Sequence, residues 1–155
     1  MAGILFTDGN LVLAGYDLNK KSITGIGGKK QGIEFPFQTG LRETIEEIFE
    51  IEHLSPNVLK YIEDELVFDK CICYKEYTTF IMNFHDLEKI MKNLVLYNLK
   101  SRVYPTIPET LADLILKRKP HPNAELKWLI LVPNEKLEFS KSFLKDLETF
   151  NSMKQ

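Results

Sequence analysis

The run from Gly27 to Glu47, GGKKQGIEFPFQTGLRETIEE, constrains this chain more than any other. A glycine-rich loop gives way at Pro36 to a helix that extends to about Glu50. Take Leu41 as the origin of a helical wheel, at about 100° per residue. Ile45 and Ile48 then fall near Leu41, while Glu43, Glu46 and Glu47 gather on the opposite side, joined by Glu50. Like charges at these spacings repel by a few tenths of a kcal/mol per pair. An ordinary solvated face would tolerate that. However, the helix has almost no lysine to pair with its carboxylates, and the glycines before it let backbone approach a ligand closely. A hard divalent cation takes oxygen ligands, and magnesium in particular takes a few carboxylates, water and substrate phosphates. The charge pattern alone leaves both readings open.

The rest of the chain sets broader limits. With 155 residues, 44% hydrophobic, it is long enough for one domain with a real core. A formal net charge of -2 argues against a general nucleic-acid binder, though not against local basic patches. Cys71 and Cys73 fall at i and i+2 of a strand, where a disulfide would be strained. They read as two small apolar residues on one sheet face, and low cysteine content suits a reducing compartment. The N-terminus lacks a positive leader, and no segment nears the roughly 20 apolar residues of a membrane span. A soluble, cytoplasmic protein with no membrane partner is the expectation.

Periodicity predicts a hairpin of Ala2–Phe6 and Leu11–Tyr16 about Asp8-Gly9-Asn10, then a short strand at Ser22–Ile26. Ser55-Pro56-Asn57 reads as a break. Tyr61–Phe68 and Cys71–Phe84 read as a second pair of strands. Helices are expected at Asp86–Asn98 and Glu109–Lys117, a buried strand at Leu126–Val132 with Trp128 in the core, and a closing helix at Glu135–Phe150. The order implies an α/β sandwich with a mixed sheet and helices on its faces.

The spacing carries the reading further. Gly28, five residues, Glu34, seven residues, Arg42-Glu43, two residues, Glu46-Glu47 resembles the Nudix box of the Nudix hydrolases. The hairpin before it and the Trp-bearing strand followed by a C-terminal helix look like Nudix architecture. The resemblance implies one Nudix domain over 1–155, with 86–119 as a family-specific helical insertion. It further implies that Glu43, Glu46 and Glu47 bind Mg²⁺ or Mn²⁺, with the Gly28 carbonyl a further ligand, and that Glu34 and Arg42 pair to pin loop to helix.

The implied reaction is water attacking a phosphorus of a nucleoside diphosphate linked to another moiety. Divalent ions neutralise the anionic oxygens and lower the pKa of bound water, and a carboxylate takes the proton. Glu46 is the first choice for that base. Glu125 is the outside candidate and reads more readily as an exposed loop glutamate. Lys29 reads equally as a phosphate contact or a solvated cation, and Lys30 as solvated. Phe35, Phe37, Tyr74, Tyr77, Tyr104 and Trp128 are available for base recognition, although Trp128 reads as core.

The box is broken at its end. Phe49 stands where the family has glycine, Glu50 where an apolar residue is expected, and Thr44 at an apolar position. Phe49 cannot supply a left-handed cap cheaply, so the helix is expected to run on towards Glu52. A small nucleotide is the favoured substrate. An RNA 5′-end or cap hydrolase is the alternative, with Lys117-Arg118-Lys119 and the 86–119 segment as the RNA path. That basic run reads more simply as a solvated helix end. A non-catalytic ligand- or protein-binding module is the third reading. Dimers are frequent in related folds, so a homodimer is an expectation carried by the resemblance alone. His53 and His85 read as structural or exposed.

Overall fold

The computed structural model describes residues 1–51, 53–68 and 70–134. Seven strands form two sheets. They are β1 (Ala2–Phe6), β2 (Leu11–Asp17), β3 (Ser22–Thr24), β4 (Ile26–Gly28), β5 (Lys70–Tyr74), β6 (Tyr77–Met82) and β7 (Leu126–Pro133). The larger sheet has the order β4-β1-β6-β5 and is mixed, because β1 runs parallel to β6 and antiparallel to β4. The smaller sheet, β3-β2-β7, is antiparallel. Helices α1 (Pro36–Phe49), α2 (Pro56–Asp64), α3 (Phe84–Leu96) and α4 (Leu111–Leu116) complete the described elements. The architecture is the mixed α/β sandwich expected.

Two apolar layers hold it together. Leu5, Val12, Ala14, Ile72, Ile81 and Val132 pack between the sheets. On the other face of β1, Ala2, Ile4 and Phe6 meet Leu41, Ile45 and Ile48 of α1, and α3 and α4 add Leu87, Ile90, Met91, Leu94 and Leu114. β1 is therefore buried on both faces, which is why AGILF is a continuous apolar run rather than an alternating one.

The same fact removes the expected hairpin. Asp8 Oδ1 accepts the N–H groups of Asn10 and Leu11, both at 2.8 Å, so the turn is as predicted. But β4 and β6 take both edges of β1, and only the Thr7–Val12 bridge joins β1 to β2. Likewise Ser22–Ile26 is split, with the chain passing from the smaller sheet to the larger at Gly25.

Other expectations need correction. Ser55-Pro56 starts a helix instead of breaking the chain. Ser55 Oγ accepts Val58 N–H at 3.2 Å, Pro56 takes the first turn, and Leu59 and Ile62 are buried at helical spacing. Tyr61–Phe68 is thus the end of a helix and a turn. Cys71–Phe84 divides into the hairpin β5–β6 and the start of α3. Cys71 and Cys73 do share a face, but the exposed one, since Ile72 takes the inward position. Trp128 is 42% exposed and stacks on Tyr16 at 5.3 Å, with Leu126, Leu129 and Val132 supplying the buried positions of β7. The helix at Glu135–Phe150 lies outside the described residues.

Candidate active site

Helix α1 begins with Phe35 extended, Pro36 in the first turn, and Gln38 Oε1 accepting Phe35 N–H at 3.1 Å. This start aims Arg42 back across the loop that precedes it. Arg42 is buried, and all five of its N–H donors are used. Nε and Nη2 bond Glu34 at 2.7 and 3.1 Å, and Nη2 also bonds the Lys29 carbonyl at 2.7 Å. Nη1 bonds Glu43 at 3.1 Å and Glu46 at 2.9 Å. A guanidinium suits this task because its fork is rigid and permanently charged. Arg42 therefore answers the repulsion seen in the sequence, and binds Glu34 bidentately as the box pattern implies.

Glu34 also accepts Gln31 N–H at 2.7 Å and the Thr39 hydroxyl at 3.2 Å, so the loop is stitched to the helix from both ends. Burial raises the Glu34 pKa, but Arg42 and the Gln31 N–H outweigh it and hold the carboxyl below its usual value. Burial likewise opposes the Arg42 charge, and the three surrounding carboxylates overcome it, so Arg42 stays protonated.

Glu43 and Glu46 are pushed up by burial; Arg42 pulls both down, and neighbouring carboxylates push them up again. Glu47 differs. The wheel places it about 60° from Thr44, and it is buried, not exposed as its position among the charged residues suggested. Its Oε2 accepts the N–H of Gly27 at 3.1 Å. Burial and then the charge of Glu125 drive its pKa up to about 10. Glu125, read from sequence as an exposed loop residue, is exposed but is brought against Glu47. Gly28 lies against Glu43, and a Cβ built there would fall 2.4 Å from Glu43 Cδ.

Glu47 and Glu125 line a cleft of about 720 Å³. Ile4, Leu5, Ile26 and Leu126 give it an apolar lining. Asp17, Lys20, Thr24 and the β5–β6 turn, Tyr74 to Tyr77, supply polar atoms and two aromatic rings. Sequence reasoning named Tyr74 and Tyr77 without placing them; Asp17, Lys20 and Thr24 carry no local signal. Lys29 contributes its carbonyl to the site, while its side chain is exposed. Phe35 is exposed, Phe37 packs on Phe68 and Phe80, and Tyr104 is buried. Arg118, from the basic run, is buried rather than solvated.

Among the described residues no group of three or more His, Cys, Asp or Glu side chains forms a ready metal cluster. Arg42 engages Glu43 and Glu46, and Glu47 turns to Gly27. These bonds use one oxygen of each carboxylate. The donors are all oxygen; Glu43, Glu46 and Glu47 are buried or half-buried, and Glu47 and the exposed Glu125 bring like charges together, a setting that a hard divalent ion would relieve. The residues fit such an ion in chemistry.

No protein-family profile matches the chain, and no curated protein does. Among solved structures, a hydrolase of the NUDIX family from Clostridium perfringens is similar over 99% of this chain and 96% of its own, at 12% identity and a TM-score of 0.45. At that level the likeness says nothing of activity. No helix among the described residues is long and apolar enough to cross a membrane.

Proposed function

We propose that the chain is a divalent-cation-dependent Nudix hydrolase that cleaves a pyrophosphate bond in a small nucleotide. The observation that carries this is the Arg42 fork. It gathers Glu34, Glu43 and Glu46, at the box spacing, at the helix that carries Glu47, which with Glu125 lines a cleft sized for a small molecule. Glu43, Glu46 and Glu47, with the Gly28 carbonyl, would hold Mg²⁺ or Mn²⁺. Such an ion neutralises phosphate oxygens and acidifies water. Arg42 fixes the carboxylates so that little reorganisation is needed when substrate arrives. Glu125, which lines the cleft and is brought against Glu47, joins Glu46 as a candidate proton acceptor. Lys29, exposed on the loop, and Lys20, in the cleft, are cations for the phosphate chain. The burial of Arg118 removes the centre of the basic run on which an RNA path would rest.

The test is hydrolysis of nucleoside triphosphates, nucleotide sugars, dinucleoside polyphosphates and capped RNA with Mg²⁺ or Mn²⁺. Activity is expected on one of the small nucleotides. Glu46→Gln and Glu47→Gln should each abolish metal-dependent phosphate release with the fold retained. For Glu47 this holds because glutamine matches the protonated side chain. A variant with full activity excludes that residue, activity on capped RNA alone selects the RNA-end reading, and no activity on any substrate selects a binding module.

A further inference from the structure

Helix α1 was expected to run on towards Glu52 for want of the box glycine. It ends instead at Phe49, and Glu50 takes the left-handed cap at φ 48°, ψ 54°, a conformation side chains adopt rarely. A helix leaves its last carbonyls without partners. Here four consecutive carbonyls, Glu47 to Glu50, all accept bonds from the segment 101–118. Arg118 Nη2 bonds Glu47 O at 3.2 Å and Arg118 Nη1 bonds Ile48 O. Ser101 Oγ bonds Phe49 O, and Arg102 N–H bonds Glu50 O at 3.3 Å. Ser101, Arg102 and Arg118, within the 86–119 segment, thus cap the box helix.

Three further bonds do nothing for the helix. Arg118 Nη2 also donates to the Leu126 carbonyl at 3.0 Å. Glu50 accepts Arg102 Nη2 on one oxygen at 2.9 Å and the Glu125 N–H on the other at 3.3 Å. The chain here is therefore held at the Glu125 N–H by Glu50 and at the Leu126 carbonyl by Arg118. Both holders are bonded to the turn that carries Glu47. Arg118 Nε has no hydrogen-bond partner among the described residues; the guanidinium is placed by its Nη groups and by the Tyr104 ring, whose centroid lies 5.8 Å from Cζ.

We propose that Glu50 and Arg118 are positioning residues that fix Glu125 opposite Glu47, doing the work of a glycine turn and more. This rests on the hydrolase reading above. The test compares Glu50→Gly, Glu50→Gln and Arg118→Lys by three readouts: Tm, the Mn²⁺ dissociation constant from electron paramagnetic resonance without substrate, and steady-state kinetics. Glu50→Gly frees the left-handed backbone and should keep Tm. It should nonetheless weaken Mn²⁺ binding and lower kcat by about 10-fold or more, with KM within about 2-fold. Glu50→Gln keeps an acceptor for the Glu125 N–H and should restore most of both. Arg118→Lys should lose kcat as Glu50→Gly does; if it fails to fold, the Glu50 pair decides. Equal Mn²⁺ affinity and kcat in Glu50→Gly and the unaltered protein, or equal losses in Gly and Gln, overturn the positioning role and leave the hydrolase reading standing. An unaltered protein that neither binds Mn²⁺ nor hydrolyses nucleotide overturns both.

Discussion

Thr44 shows how one residue departs from its pattern without harm to the site. It occupies an apolar position of the box, is fully buried, and its hydroxyl has no partner among the described residues. A buried hydroxyl without a partner costs about 1–3 kcal/mol, whereas an apolar group of the same shape costs nothing comparable. Valine keeps the β-branched shape. Thr44→Val is therefore expected to raise stability by about 1 kcal/mol, read by urea or thermal unfolding, with hydrolysis unchanged. A lower stability would mean that the hydroxyl has a role this geometry does not account for. Glu47 teaches the opposite lesson. The wheel grouped it with the charged face, yet its neighbours on three elements bury it.

At the scale of elements, the turn from β4 into the loop before α1 is where backbone geometry and chemistry meet. A Cβ on Gly27 would fall 2.6 Å from the Ala2 carbonyl oxygen and 2.6 Å from Gly3 Cα, both backbone atoms that cannot step aside. The three atoms nearest a Cβ on Gly28 all belong to the carboxyl end of the flexible Glu43 side chain, at 2.4 to 2.6 Å. Gly27→Ala should thus lower stability by about 2–3 kcal/mol. Gly28→Ala should keep the fold, because Glu43 swings away, but lower kcat by about 10-fold or more. Tm and kcat measured together separate the two. Sequence spacing singled out Gly28 as the first box position but gave no sign of what surrounds Gly27. The strand pairing of β1 with β4, which tells them apart, joins residues far apart in the chain.

For the whole molecule the question is what the buried Glu47 costs the fold. It joins α1, β4 and the start of β7, with Glu43 and Glu125 as its charged neighbours. Its pKa rises on folding from 4.5 to about 10, chiefly through burial and the charge of Glu125. The folded state therefore holds a proton that the unfolded state releases. That stability is complete below the unfolded value and is lost as pH rises towards the folded one. In the presence of a chelator, stability should fall by on the order of 1–3 kcal/mol between about pH 5 and pH 9. Glu47→Gln should flatten the slope. An equally steep slope in that variant would place the titrating group elsewhere.

The pattern of residues alone indicated a helix from Pro36 to about Glu50 with an apolar stripe of Leu41, Ile45 and Ile48, because spacing on a helix is a local matter; the pairing of Arg42 with Glu34 was an expectation from the resemblance, and the structure has that bond. The α/β layering was also legible, since periodicity distinguishes helix from strand. The tertiary structure alone decided which strands share a sheet, that Trp128 faces out and Cys71 and Cys73 with it, and that Glu47 is buried against Glu125. It alone showed that residues 101–118 finish the helix in place of a glycine. Each of these depends on contacts between segments distant in the chain, and hydrophobic burial, which drives them, has no direction that a local pattern could record.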